Sequence, residues 1–356
     1  MDQTEHKQSL YRVKYFYLLT LIFFSVSSFS QEKNIVINSA GSFDRNQSVY
    51  PDGNILTESG TKKVHLTHDN MDIFSKKSIF FQTRNSFIAT GNVHVKQGDS
   101  INLYCDSLNY DGLSKKFSSY GSVKFINDEM ELNSNVLFFD RVKNEIYFNK
   151  NGKIIDSAST IKSKVGKYFI NEKKYEFKEN VIVENPDYKI RSNMMDYFLS
   201  SEVTLFYEYS TIMTDDYTIF CNEGFYDPQK KIGVFKKDAK VNSDSRTIFG
   251  DSIFFDENKK YANASGNIKI VDEKENLIIK GEYAEVFEEL DSALITKNPI
   301  AINITKTDSL FIKADTLISL GAAQKRRVIG YYNVRFVKGS MSGKSDKIKV
   351  DKSEGL

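Results

Sequence analysis

Two histidines three residues apart form the most metal-like pair in the sequence. His65 and His68 are followed by Asp69, and imidazole and carboxylate groups are common zinc ligands. Side chains three residues apart on a β-strand point to opposite faces, however, because successive side chains alternate. We therefore expect no shared ligation by these residues, and the sequence predicts neither a metal site nor a cofactor.

Acidic residues that recur along the chain are the second set with chemical potential. A pair of carboxylates can hydrolyse a glycosidic bond as acid and base. Asp106 and Asp251 stand at corresponding places of a repeated phrase, but Asn or Lys occupies that place in the other copies. Such a place is typical of a structural corner. Because a Gly-rich phosphate loop, a nucleophile elbow and a Cys-x-x-Cys motif are also missing from the sequence, it predicts a protein that is not an enzyme.

The repeated phrase recurs every 29 residues and defines the elements that would position any site. An aromatic residue follows four positions after the reference position of every copy. A fixed period of this length is typical of one supersecondary unit stacked on itself, which predicts an elongated molecule. The reference positions are Lys77, Asp106, Asn135, Lys164, Asn193, Asn222 and Asp251.

The residues two and four positions after each reference position are mostly apolar and alternate with polar ones. This pattern puts them on one face of a strand, and the period stacks them into ladders that line a common interior. An ordinary sandwich core explains such ladders, and so does a trough for acyl chains, in which each buried CH₂ contributes about 0.8 kcal/mol. The candidate groove residues are Phe81, Leu108, Tyr110, Leu137, Phe139, Tyr168, Met195, Tyr197, Tyr226, Ile253 and Phe255.

Glycine and turn residues mark the corners of each unit. Asp111-Gly112 and Asp227-Pro228 follow the aromatic residue and are typical of exposed turns. A second strand follows a glycine such as Gly91, which suits a sharp bend from one sheet to the other. At Gly166 and Gly224 glycine replaces the first ladder residue, and there we expect a hollow or a bend. The spacing loosens after Asp251, so the last units are degenerate.

Composition agrees with an all-β fold. The chain has 27 Phe and 20 Tyr but no Trp and only 4 Pro among 356 residues, which favours strands. Its net charge of +2 gives no support for nucleic-acid binding. A basic stretch from Lys325 to Lys352 is consistent with a solvated strand face, or with a contact to a phosphorylated ligand or an acidic partner.

The N-terminal residues 1–30 have the features of a cleaved signal peptide. Arg12 and Lys14 precede an apolar run, and the small residues Ser28 and Ser30 suit a cleavage site. The run is shorter than the roughly 20 residues that span a bilayer. Beyond it we expect a partly irregular lead-in at 31–75, the repetitive region at 76–351 and a tail at 352–356.

Cys105 and Cys221 occupy the same place in the repeat, four periods apart. Stacked units would hold them much farther apart than the roughly 7 Å between Cα atoms that a disulfide allows. The sequence therefore predicts two unpaired, half-buried thiols.

Three phrases resemble the OstA-like (LptA-like) domain of lipopolysaccharide transport: Thr90–Val95, Ile101–Asp111 and Ala264–Ile270. The resemblance extends in phase from about Phe80 to Asp351. It implies an elongated β-jellyroll, or β-taco, of antiparallel strands in two facing sheets, in the periplasm of a Gram-negative bacterium.

The same resemblance implies a function. Members hold the lipid A part of lipopolysaccharide in the groove and join like-folded partners through their end strands, which bridges the inner and outer membranes. We therefore expect a bridge component that passes lipid A toward the outer membrane, with head-to-tail self-association as a further partner mode. A structural or adhesive β-solenoid scaffold is the alternative, and a carbohydrate-active β-helix enzyme is the third.

Overall fold

In the computed structural model, the described part of the chain forms thirty antiparallel strands in a single sheet. The structure describes residues 34–243, 246–305, 308–322 and 325–351, so the expected signal peptide at 1–30 and the tail at 352–356 lie outside the described residues. Within these ranges no helix is long and apolar enough to cross a membrane. The all-β prediction is confirmed.

The strands follow one another along the chain, and their bounds are β1 Val36–Ser39, β2 Ser42–Arg45, β3 Gly53–Thr57, β4 Val64–His68, β5 Met71–Ser75, β6 Lys77–Phe81, β7 Ser86–Gln97, β8 Ile101–Asp111, β9 Lys116–Ile126, β10 Met130–Asp140, β11 Glu145–Phe148, β12 Gly152–Asp156, β13 Thr160–Ser163, β14 Val165–Phe169, β15 Lys174–Glu184, β16 Lys189–Phe198, β17 Thr204–Phe206, β18 Ser210–Met213, β19 Thr218–Cys221, β20 Glu223–Asp227, β21 Ile232–Asn242, β22 Thr247–Asp256, β23 Tyr261–Asp272, β24 Leu277–Phe287, β25 Ser292–Thr296, β26 Ile300–Asn303, β27 Leu310–Lys313, β28 Thr316–Leu320, β29 Arg327–Lys338 and β30 Met341–Asp351.

The sheet is folded lengthwise along a crease into two facing wings. The chain runs back and forth across the crease. We call each crossing from one wing to the other a passage, and each passage bends at its middle, where it crosses the crease. In long strands such as β7 and β8, the strand continues through the bend and the pairing register shifts there. In other passages the bend interrupts the strand, as between β11 and β12. The first wing contains halves such as Val93–Gln97, and the second contains halves such as Ser107–Asp111. One 29-residue period is therefore two passages, which adds two half-strands to each wing.

Backbone in the left-handed region forms the bend on alternate passages. Gly91 and Asn92 have φ of 79° and 47°, and Gly266 and Asn267 have φ of 74° and 48°, a conformation that glycine adopts without strain. The glycine bend expected from the sequence is confirmed. The passages between these carry the reference position of the repeat at their bend. Asp251 is one such position, and it lies against the glycine bend of the next passage: a Cβ added at Gly266 would be 2.4 Å from Oδ2 of Asp251.

The core lies between the wings. Phe125 of the first wing meets Phe139 of the second with ring centroids 6.3 Å apart. The hollow expected at Gly166 is filled, because the ring of Phe148 occupies the space into which a Cβ would project. The interior is therefore a packed core along the described chain, in keeping with the density of protein interiors.

The paired strands begin at Val36, inside the segment 31–75, and an irregular loop at 58–63 interrupts that segment. Cys105 and Cys221 are free, as expected, and both are buried rather than half-buried. Burial raises the pKa of each thiol to about 12. Buried thiols of this kind are unreactive, so both cysteines are core residues.

Candidate functional site

Ten of the eleven predicted groove residues share one face of one wing. They lie on the inner face of the second wing, from the crease toward its free edge, and none is more than 7% exposed. Phe81 does not join them: Phe80 is the residue of β6 paired with the inner residue Phe87, so Phe81 lies on the outer face, against Tyr50 and beneath the guanidinium of Arg84. Phe80 therefore holds the inner position expected for Phe81, and with it the ten residues form one continuous row of mostly apolar side chains, which is half of the interior.

The other half comes from the first wing and was missing from the candidate list. Its inner residues are mostly aliphatic. On one passage they come just before the reference position, and on the next passage they come just after the bend. The alternation of residues such as Leu103 with more polar neighbours could have indicated this inner face. The signal was weaker than that of the second wing, because no aromatic residue recurs with it. Fully buried examples are Leu66, Leu132, Ile154, Ile161, Val183, Ile190, Ile212 and Ile219.

The interior changes in character along its length. In the N-terminal part the largest buried side chains are aromatic, as with Phe87, Phe125 and Phe177. Beyond β22 alanine becomes frequent on the inner faces: Ala262, Ala264, Ala284, Ala293, Ala301 and Ala314 are all buried. Because both parts are packed, the wings must approach each other more closely where the side chains are small.

Polar contacts between the wing edges close the interior on the side opposite the crease, which we call the mouth. Near the N-terminal end, Tyr110 Oη lies 2.6 Å from Nδ1 of His68. Asp69 Oδ2 is 3.0 Å from Lys115 Nζ and 3.7 Å from Arg141 Nη1. Burial acts to raise the pKa of Asp69, but the hydrogen bond from Lys115 and the charges of His68, Lys115 and Arg141 outweigh it, and the pKa lies below its usual value.

In the middle of the chain, phenol groups meet carboxylates at the mouth. Tyr188 Oη donates to Oε2 of Glu202 at 2.8 Å, and Tyr217 Oη donates to Oε2 of Glu288 at 2.5 Å. Tyr168 Oη lies 3.4 Å from Oε2 of Glu129. Burial, together with the charge of Glu129, raises the pKa of Tyr168 to about 12. These phenols are therefore neutral hydrogen-bond donors at physiological pH.

Buried arginines close the mouth in the C-terminal part. Arg326 Nη2 lies 2.9 Å from Oδ2 of Asp272, and both side chains are about 95% buried, with 4% and 5% exposed. Arg246 Nη1 donates to the carbonyl oxygen of Ser292. Burial and the neighbouring charge of Arg326 lower the pKa of Arg246. The pair of Arg326 and Asp272 is thus an ion pair withdrawn from water, unlike the partly exposed Asp69–Lys115 pair near the N-terminal end.

Two cavities at the mouth reach the predicted groove residues. One, of about 400 Å³, is lined by Phe139 and by the polar contacts around Asp69 and Arg141. The other, of about 360 Å³, is lined by Tyr226 and Tyr188. Phe139 and Tyr226 are thus the candidate residues that lie nearest to an entrance from solvent.

The histidine pair is divided between the two faces, as the alternation predicted. His65 lies on the outer face, 2.7 Å from Asp72 Oδ1 and stacked on Phe74, whereas His68 is buried in the interior. Across the described ranges no group of three or more His, Cys, Asp or Glu is placed to hold a metal ion.

Comparison with known proteins identifies part of the chain. Residues 32–193 match the model of a family described as OstA-like protein. No curated protein matches the chain significantly. The matched segment begins before Phe80, where the resemblance started, and ends before Asp351, although the same bent strands continue to the end of the described chain.

Proposed function

We propose that the protein is a periplasmic bridge component for lipopolysaccharide, on the premise that residues 32–193 match the family described as OstA-like protein. In this role it holds lipid A acyl chains between the wings and passes them toward the outer membrane. The family is associated in general with lipid and lipopolysaccharide transport in the periplasm and is not an enzyme family. The observation that carries the proposal is the continuous apolar interior with a mouth along its whole length.

Acyl chains enter by separating the wing edges, because the interior is packed when the mouth is closed. Ten CH₂ groups transferred from water contribute about 8 kcal/mol. A neutral hydrogen bond such as that of Tyr110 contributes only about 0.5–1.5 kcal/mol, and a partly exposed ion pair such as Asp69–Lys115 about 0–1 kcal/mol. A single acyl chain therefore outweighs the contacts that close the N-terminal part of the mouth.

The end strands supply the partner surfaces. In the described chain β30 pairs with β29 alone, and most of its residues are exposed. An unpaired strand edge invites pairing with another chain. We infer that like-folded proteins, or a second copy of this chain, continue the sheet from this edge so that the interior is continuous across the junction.

A photo-crosslinking amino acid at Phe139 tests the groove. With purified lipopolysaccharide we expect capture from Phe139 and from Tyr168. Phe138 is the matched control, because it is the same residue type on the opposite face of β10. Capture from Phe138 to the same extent, or only from Lys116 and Lys231 at the turns between strands, would contradict a groove between the wings.

Substitution provides an independent measurement. Phe139→Gln places a polar group in the interior beside the mouth and is expected to impair lipid loading, whereas Phe138→Gln is expected to leave it unchanged. Circular dichroism establishes that both variants keep the sheet.

A structural scaffold is the second candidate, because the closed and packed interior also suits a β-solenoid without cargo. The two functions differ in one measurement on the mature wild-type protein. If folded protein binds neither lipopolysaccharide nor isolated lipid A, the scaffold function replaces the transport function.

A further inference from the structure

A large cavity lies outside the interior, on the far side of the molecule from the mouth. It has a volume of about 630 Å³ and is centred on the crease, at Asn135, Asn151 and Lys164. Two of the passages that line it are broken, one between β11 and β12 and the other between β13 and β14. We call it the crease cavity.

The crease cavity is lined by cations and neutral hydrogen-bond donors. Five lysines belong to it: Lys124, Lys150, Lys153, Lys162 and Lys164. Three of them are paired with glutamates, Lys124 with Glu131, Lys162 with Glu184 and Lys164 with Glu179. Lys150 and Lys153 are exposed, and neither forms an ion pair with any residue that the structure describes. The cavity therefore has two cations to offer to a ligand.

Neutral hydrogen-bonding groups complete the lining of the cavity. Asn135, Asn151 and Asn180 add amide groups to the rim, and Ser122 adds a hydroxyl. Ser163 also borders the cavity, but its side chain lies on the inner face of β13 with Ile161 and is buried in the wing.

The repeat supplies an internal comparison for this chemistry. Two periods later the same two breaks recur, between β17 and β18 and between β19 and β20. Each of the five lysines is replaced there, and in the same order the residues are Ile182, Glu208, Thr211, Phe220 and Asn222. The backbone break is thus a property of the fold, whereas the lysines are specific to one copy.

We propose that the crease cavity binds a phosphate-bearing ligand, with Lys150 and Lys153 as the charged contacts. Lysine is a common phosphate ligand, acting as a point charge, and hydroxyl and amide groups donate to the remaining phosphate oxygens. The site is independent of the lipid interior, because the crease and the mouth lie on opposite sides of the wings. A headgroup of a lipid held at the mouth does not reach it.

Calorimetry with inorganic pyrophosphate and with a sugar 1-phosphate, on the full mature chain at low and at physiological salt, tests this site. We expect both ligands to bind, and Lys150→Gln with Lys153→Gln to weaken binding at least about tenfold, as expected for two lost charge-assisted contacts. The matched control is Lys269→Gln with Lys280→Gln. These two lysines are cross-strand neighbours on the outer face of the same wing, outside the crease cavity.

A gain-of-function variant and a vesicle assay complete the test. Glu208→Lys with Thr211→Lys rebuilds two of the lysines at the second pair of breaks and is expected to create a weaker second site. Absence of pyrophosphate binding, or equal weakening by the control pair, would overturn the proposal, because the effect would then be one of general charge. Binding only to vesicles that contain phosphatidylglycerol would also overturn it in favour of a membrane surface.

Discussion

The N-terminal and C-terminal parts of this molecule have the same backbone plan but differ in how the two wings are held together. From β4 to about β21 many aromatic rings lie among the aliphatic side chains of the interior, and partly exposed polar contacts such as Asp69–Lys115 close the mouth. From β22 onward the interior is mainly aliphatic and alanine is frequent, and the buried pair of Arg326 and Asp272 closes the mouth. The family match ends at residue 193, inside the first of these parts.

The difference shows that one repetitive fold can combine two kinds of interior: one part in which the wings can separate, and another in which they stay together. Aromatic side chains hold the wings apart and leave a wide space when the edges separate. Small side chains let the wings pack closely, so little space would open for an acyl chain. We therefore expect lipid to enter in the N-terminal and middle parts and the C-terminal part to act as a rigid end that presents β30.

The largest expected effect comes from breaking the buried ion pair. Arg326→Ala leaves Asp272 buried without its charged partner, and the expected loss is about 3–5 kcal/mol in the free energy of unfolding. Arg141→Ala, at the corresponding contact of the N-terminal mouth, is expected to cost about 1 kcal/mol, because Lys115 still pairs with Asp69. Urea denaturation, followed by hydrogen exchange in β23 and β29, measures both.

A rescue variant separates the charge from the packing at the same place. Arg326→Met with Asp272→Leu removes both charges and is expected to recover most of the lost stability, since apolar pairs often replace buried ion pairs without cost. Equal losses in Arg326→Ala and Arg141→Ala would show that the two parts of the mouth do not differ in strength.

Two glycines test the difference in packing inside the wings. A Cβ at Gly166 would lie 2.3 Å from the Phe148 ring, which is also confined by Gly152, whereas a Cβ at Gly250 would lie 3.4 Å from its nearest neighbour, Ala264. Gly166→Ala is therefore expected to cost about 1–3 kcal/mol by overpacking. Gly250→Ala is expected to be neutral or to stabilise by up to about 1 kcal/mol, because it reduces the entropy of the unfolded chain.

Thermal and urea unfolding check both glycine variants. Combining Gly166→Ala with Phe148→Leu should return part of the loss, which identifies the ring as the cause. A destabilising Gly250→Ala would mean that the alanine-lined part is as tightly packed against its backbone as the aromatic part.

The repeat itself could be derived from the sequence because its signals are local. The aromatic residue after each reference position marks an inner face, and Asp-Gly and Asp-Pro pairs mark the turns, so strand direction and period follow from neighbouring residues. Gly91, Gly121 and Gly266 were recognisable as bends because each opens a short strand-like phrase. The bends at Glu179 and Lys237 use left-handed backbone without glycine. Asn180, which opens the next strand-like phrase, indicated the first of them, whereas no such residue marked the second.

Contacts across the mouth could not be derived, because they join residues from different passages. Arg326 and Asp272 lie 54 positions apart with no shared phrase, and the pairing depends on where two turns meet in space. The lysines of the basic stretch near the C-terminus had suggested a solvated face or a ligand contact. Arg326 serves neither purpose and is instead part of the packed edge.

The smallest expected effect concerns the turns, which the two parts share. Asp140 Oδ1 accepts hydrogen bonds from the backbone N–H of Val142 and of Lys143, both at 3.1 Å, and Asp256 Oδ1 accepts one from that of Lys259 at 3.0 Å. Burial acts to raise the pKa of Asp140, but these bonds and Lys116 lower it, and the pKa of Asp256 is lowered chiefly by the side chain of Lys259.

Because the pKa of each turn aspartate is lower in the folded protein than the roughly 3.9 of an unfolded chain, each stabilises the fold above about pH 5. The contribution is lost as the pH falls through about 4 toward the folded pKa. Asp140→Asn and Asp256→Asn are each expected to cost about 1 kcal/mol at pH 7 and almost nothing near pH 3. Urea midpoints from pH 7 to pH 3 measure this, and unequal losses would place part of the difference between the two regions at their turns rather than in the interior and the mouth.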